Sequence, residues 1–445
     1  IKYLEFGDED TFRFDLDSMI LHFSYFSTPD AWVNALCQIE IHLEEVNFNY
    51  CAVNLEGHAM LLNRLILQSK TLKKLVFTGC SIDPDMFQSC LSGSLDNCTG
   101  LVHFVIEGES LDEYLHNFLL DKLLSSEIYY FGWENFRWEG TTCRFSSSPK
   151  MRSWSSAFTM GRKRLSEMSE LKFAGTLFTQ VESLLFLKSS IRFTSLRTLI
   201  FDSCYWNLSV FADCLETLKS CNHLEGLEFR DDSFEGNENV ADALLEAVHP
   251  LELNKLSLHR WPLQRKTPKI ATIIRQATTL SHLTLSHCGI GNARSIFEAT
   301  GKSACLEELS LLSNPAIAID DWIDCLGDIK HLRTLHLPTS NWDSVGSGNG
   351  TVEQVLGAIQ QNLSLFSLPS HIAHEEIDRY LRRNKDYDKV RSGMLDLAIL
   401  PLWPVMLDKF VSGSMDKGTL CFTFLQQNIS RLPDAIPNRR RQNPV

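Results

Sequence analysis

One short pattern, L-x-x-L-x-L-x-x-N/C, recurs along most of this 445-residue chain and limits what it can fold into. Six clear copies begin at Leu196, Leu224, Leu253, Leu280, Leu306 and Leu332, so successive first leucines stand 26 to 29 residues apart. Working back, the frame continues at Met168, Ile128, Leu101, Leu72, Leu43 and Ile1, and a last weak copy reads Leu363-Ser-Leu-Phe366-Ser-Leu368. That makes thirteen candidate repeats, with long gaps only after Ile1 and after Ile128. Alternation at the fourth and sixth positions marks a short strand with one buried face. The ninth position holds a small polar residue (Cys51, Cys80, Cys204, Cys288, Asn314) that can satisfy buried backbone groups of the next repeat. Between strands, apolar residues fall at helical spacing, as in Phe211, Leu215 and Leu218, or Trp322, Ile323, Leu326 and Ile329. A lone unit of strand, turn and helix cannot bury its own faces, so the copies must stack.

These residues resemble the leucine-rich repeat family in its long, ribonuclease-inhibitor-like form, over about residues 1–368. The resemblance implies an α/β solenoid, a curved horseshoe with a parallel inner sheet and helices on the convex side. It also implies a non-catalytic scaffold, without cofactor, that binds another protein on its concave face. The alternative is the ligand-sensing or substrate-recognition part of a larger immune-receptor or ubiquitin-ligase adaptor chain. The chain starts at Ile1 without an initiator methionine, which leaves an upstream domain or a signal peptide open.

Two stretches depart from the pattern. Thr141–Leu165 is rich in Ser and carries Arg144, Lys150, Arg152, Arg162, Lys163 and Arg164 with no acid. It reads as an inserted mobile loop outside the solenoid, with hydroxyls beside cations or proline (Ser148-Pro149, Arg152-Ser153-Trp154-Ser155) where phosphate would cancel the charge. Past Leu368 the repeat stops, and residues 369–432 read as a helical cap over the exposed solenoid end. Its first helix is expected over His371–Val390 with Ile377, Tyr380 and Leu381 on one face, and a basic polar tail fills 433–445. The run of Tyr380–Asn384, Leu402–Leu407 and Phe422–Asn428 resembles the C-terminal segment of leucine-rich repeat proteins of eukaryotic microalgae.

Chemistry-bearing motifs are sparse. Gly346-Ser-Gly348-Asn-Gly350 lacks the Lys-Ser/Thr of a phosphate loop and reads as a turn, with Thr351 and Gln354 as a capping box. His371 and His374 are two neighbours, short of the three or four ligands a metal needs. Thirteen cysteines without a CxxC read as reduced, buried thiols. With five N-x-S/T sequons (Asn97, Asn207, Asn349, Asn362, Asn428) taken as chance matches, the expected compartment is the cytoplasm, with nuclear or secreted placement as alternatives.

The net charge of −13 disfavours nucleic acid as a partner, because that binding neutralises phosphates. The longest apolar stretch, near Leu395–Leu407, is broken by Asp396 and two prolines, so no membrane span is expected. Positions 3, 5, 7 and 8 of each repeat face outward from the inner sheet. At one end they place Tyr3, Glu45, Asn47, Tyr130 and Glu134, and at the other Arg230, Lys255, His259, Arg260, His282, His287 and His336. This acid-to-basic split predicts an acidic partner segment over the later repeats, with histidines strengthening the contact towards pH 6.

Overall fold

The computed structural model describes residues 3–6, 12–15, 20–24, 44–50, 52–53, 63, 72–85, 87–88, 100–107, 113–125, 128–133, 136–146, 153–155, 163–179, 181–191, 193–234, 239–318, 320–338, 349–362, 364–365, 367–368 and 375–391. The chain divides into two units, Ile1–Ala243 and Leu244–Val445. In the first, one sheet runs in the order β1 (Tyr3–Phe6), β2 (Phe12–Asp15), β3 (Ile20–Ser24), β4 (Glu45–Asn49), β5 (Lys74–Thr78) and β6 (His103–Glu107). It continues through β7 (Tyr130–Trp133), β8 (Phe136–Glu139), β9 (Thr142–Ser146), β10 (Glu170–Ala174), β11 (Thr198–Asp202) and β12 (Gly226–Arg230). Pairing is parallel from β3 to β7 and from β9 to β12. The second unit carries β13 (Lys255–His259), β14 (His282–Ser286), β15 (Glu308–Ser310) and β16 (Thr334–His336), all parallel.

From β4 on, every strand except β8 and β9 starts two residues after the first residue of its repeat, and like positions pair with like. Leu256, Leu283, Leu309 and Leu335 stand opposite one another across β13 to β16. Between strands lie α1 (Glu113–Ser125), α2 (Val181–Ile191), α3 (Leu208–Leu218), α4 (Val240–Val248), α5 (Thr267–Gln276), α6 (Arg294–Lys302), α7 (Asp320–Leu326) and α8 (Asn349–Gln361). Asn207 opens α3 as its N-cap, accepting 2.9 Å from the Ser209 N–H. The helix then buries Val210, Phe211, Cys214, Leu215 and Leu218. Both units have the leucine-rich repeat fold.

The core of each repeat is the pair of apolar residues at positions 4 and 6. Position 6 is a phenylalanine ladder in the first unit: Phe145, Phe173, Phe201 and Phe229 stack at 5.4, 5.6 and 5.0 Å between successive rings. In the second unit leucines fill the same place, Leu258, Leu285, Leu311 and Leu337, all buried. Leu283 and Leu309 are buried too. Leu283→Ala is expected to cost about 2–5 kcal/mol, felt mainly by adjacent repeats; an unchanged thermal midpoint would contradict this frame.

Position 8 explains the turn. Tyr50, Ser203, Asp231, Arg260, His287 and Ser313 all have φ between 53° and 59°, and Gly79 and Gly175 occupy the same left-handed region at this position. That conformation lets the position-8 N–H bond to the position-7 carbonyl of the next repeat, as Tyr50 does to Thr78 and Ser203 to Arg230, each at 2.7 Å. Position 9 then points inward. Asn314 Nδ2 donates to the carbonyls of Leu285 (2.7 Å) and Leu311 (2.9 Å), and its Oδ1 accepts from the Cys288 N–H at 2.9 Å. Cys80, Cys204 and Cys288 reach the carbonyls of Phe48, Phe173 and Leu258. The repeat satisfied is therefore the preceding one, not the next. Cys51 lies outside the described residues. Asp232 occupies this ladder position with Oδ1 accepting from the Cys204 N–H at 2.8 Å, while Oδ2 is buried with no hydrogen bond. Burial pushes its carboxyl up to about 8.

Four expectations are corrected. The first repeat is not at Ile1: β1 pairs antiparallel with β2, and β2 with β3, so the repeat-type strand beside β4 is Ile20–Ser24. Thr141–Leu165 is not a loop outside the solenoid. Gly140 and Thr141 make a two-residue hairpin turn, with Gly140 at φ 59°, joining β8 to β9, and β9 pairs parallel with β10. Cys143, Phe145 and Trp154 are buried there, and Arg164 sits 5.2 Å over the Trp138 ring and donates to the Ile128 carbonyl. Ser153 and Ser155 are half-buried beside Trp154, whereas Ser148, Lys150, Arg152 and Arg162 lie outside the described residues. The last copy is framed at Leu365 rather than Leu363, since Ser367 bridges Thr334 and both Leu365 and Leu368 are buried. Thr351 lies inside α8 and is no N-cap.

Helix α9 (Glu375–Arg391) packs on α8. Ile377 and Leu381 are buried, and the fully buried Asn384 donates to the carbonyls of Asn362 (2.8 Å) and Leu365 (2.6 Å). The expected remainder of the cap, with Leu402–Leu407, Phe422–Asn428 and the basic tail, lies outside the described residues, as do His371, His374 and Gly346–Gly348. Among the described residues no helix is long and apolar enough to cross a membrane.

Candidate functional site

Leucines at positions 4 and 6 point to the helices, so by strand alternation positions 3, 5 and 7 form the opposite, inner face. In the first unit that face largely satisfies itself. Glu45 takes Lys74 Nζ at 2.7 Å and Asn47 Nδ2 at 2.8 Å. The next two strands stack His103 on Tyr130, with ring centroids 4.1 Å apart and planes 2° from parallel. Partial burial and then the Lys74 charge lower the His103 pKa. Glu107 pairs with Arg137 at 2.8 Å, Lys172 with Asp202 at 2.8 Å, and Arg230 with the buried Glu228. Burial alone would raise the Asp202 carboxyl, but the hydrogen bond and charge of Lys172 hold it below its ordinary value.

Thus Glu45 is not free acid surface and Arg230 is not a free cation. Tyr3 lies in the outermost strand of this sheet, its side chain outside the description, and Glu134 lies outside the described residues. The acid-rich end foreseen from sequence is neutralised by Lys74 and Arg137, two residues that occupy inner-face positions of their own strands.

The second unit is arranged differently. Across β13 to β15 the register sets Lys255 beside His282 and His282 beside Glu308. One step along, Ser257, Thr284, Ser310 and His336 form a second row on β13 to β16. His282 Nδ1 lies 2.7 Å from the Ser281 hydroxyl and its Nε2 3.8 Å from Glu308. Lys255, His287 and His336 make no side-chain hydrogen bond or ion pair among the described residues. Arg260 and His287 are exposed at position 8, on the same edge, and His259 is half-buried at the end of β13. The hydroxyl row was missed in the sequence, although position 5 of the repeat frame selects it. No group of three or more metal-ligating side chains occurs among the described residues.

Comparison with protein-family models finds no match, and comparison with curated proteins finds none. Solved structures give weak likenesses. An internalin of Listeria monocytogenes aligns over 79% of this chain and 86% of its own at 12% identity and a TM-score of 0.30. A Bacteroides fragilis protein aligns over 76% of each chain at 9% identity and TM-score 0.26. The mouse RP105/MD-1 complex aligns over 73% of this chain and 66% of that one, at 10% identity and TM-score 0.30. The fold rests on its own strand pairing and turn geometry.

Proposed function

We propose that this protein is a non-catalytic scaffold that binds another protein on its inner strand face, through the surface of β13 to β16. One contrast carries the reading. On the inner face of the first unit Glu45, Glu107, Lys172, Asp202, Glu228 and Arg230 are held in ion pairs within the protein, whereas Lys255 on the inner face of the second has no internal partner among the described residues. An unpaired lysine on a sheet face favours an acidic partner segment, steering its approach and fixing its register.

The test compares capture from native extract on wild-type protein and on Lys255→Glu/Arg260→Glu protein. Proteins held by the wild type at low salt should be lost from the variant and released from the wild type as salt rises. An identical bound set on both would contradict the reading.

A further inference from the structure

The floor of the same surface is chemically unusual, and the following rests on that function. Inner-face position 5 of the first unit carries Asn47, Val76, Val105, Gly132, Lys172, Ile200 and Glu228, with no hydroxyl among them, whereas the second unit carries Ser257, Thr284 and Ser310 on adjacent strands. Ser257 is 3% exposed and Ser310 4%. None of the three hydroxyls bonds to any protein group among the described residues. The residues are largely covered, yet their hydroxyl oxygens are not among the sealed, unpartnered polar atoms, so they are open to a hydrogen-bond partner from outside the protein. The row spans two strand spacings, roughly 10 Å, which is the length of three extended residues. Lys255 borders it at one corner and His336 continues it on β16. Glu308 is the only carboxylate on these four strands, and it already faces His282.

We propose that this row recognises a phosphorylated, extended segment of a partner protein. The phosphate oxygens accept from the hydroxyls of Ser257, Thr284 and Ser310 and from Lys255 Nζ. A phosphoryl group brings three strong acceptor oxygens and about −1.5 to −2 charge. A carboxylate brings two oxygens and one charge, and leaves part of the hydroxyl row unbonded.

Fluorescence anisotropy supplies the test, with a short labelled peptide of Glu, Gly and Ala around one phosphoserine, its serine counterpart, and inorganic phosphate as competitor. The phosphopeptide should bind at least about tenfold tighter than the serine peptide. Ser257→Ala/Ser310→Ala should erase most of that preference while keeping the wild-type thermal midpoint, because only two oxygens are removed. Inorganic phosphate should compete only weakly. Equal binding of the two peptides, or a preference untouched by the double variant, would overturn the inference. So would inorganic phosphate competing as strongly as the phosphopeptide, which would make the row a site for the free ion. If neither peptide binds, the phosphate inference fails while the capture comparison still decides whether this face binds protein.

Discussion

Asp232→Asn is expected to stabilise the protein at alkaline pH by on the order of 5 kcal/mol and to change little near pH 4. In the folded protein, burial raises the Asp232 carboxyl to about 8, whereas its ordinary value is 3.8. Folding therefore takes up a proton between those values, so the stability this group permits is full below about pH 4. It is lost as pH climbs through about 8, and then stays constant. Asparagine keeps the acceptor for the Cys204 N–H and adds two donors, which Asn314 at the equivalent position spends on backbone carbonyls. In wild type one oxygen of Asp232 is buried outside hydrogen-bond geometry, and the indole N–H of Trp206 lies near the carboxyl. Urea unfolding of both proteins from pH 5 to pH 9 checks this. The gap between midpoints should widen with pH and level off above 8; a gap independent of pH would contradict it.

Trp154→Ala should cost about 3–5 kcal/mol, the range for emptying a large aromatic site. Trp154 is 1% exposed and stacks on Trp133 at 5.9 Å and 10°, with Phe136 at 4.5 Å and Phe145 edge-on at 5.0 Å. It closes the aromatic core under the β8–β9 hairpin, where the parallel ladder is interrupted. Thermal melting measures the effect. A variant as stable as wild type would mean that the segment is the loose loop its composition suggested.

That segment shows what the sequence carried and where reading it failed. Composition singled out Ser and Arg, but alternation was the stronger signal: Thr142-Cys-Arg-Phe-Ser is buried at Cys143 and Phe145 and exposed at Arg144 and Ser146. Strand periodicity decides a fate that charge counting does not. The repeats from Leu196 to Leu332 were legible because identical leucines recur at a nearly fixed interval. Ile20–Ser24 was not, because Ser18 stands where the first leucine would be and only Leu21 and Phe23 keep the frame.

The candidate surface was half legible. The repeat frame selects inner-face positions, so Lys255, His282 and His336 could be named. Charge neutralisation could not be read along the chain, because Glu45–Lys74 and Glu107–Arg137 are pairs 29 and 30 residues apart that meet only across the sheet, the first between neighbouring strands and the second with β7 between them. The sheet register brings them together, and it leaves Lys255 without such a neighbour.

Site-specific photo-crosslinking tests the central claim most directly. A photoreactive residue at Thr284 on the inner face of β14, and another at Thr272 on the exposed side of α5, sample opposite surfaces of the same unit. In native extract, crosslinks to a partner protein should form from position 284 and be lost when Lys255→Glu is added. A partner crosslinked from position 272 but not from 284 would contradict the account.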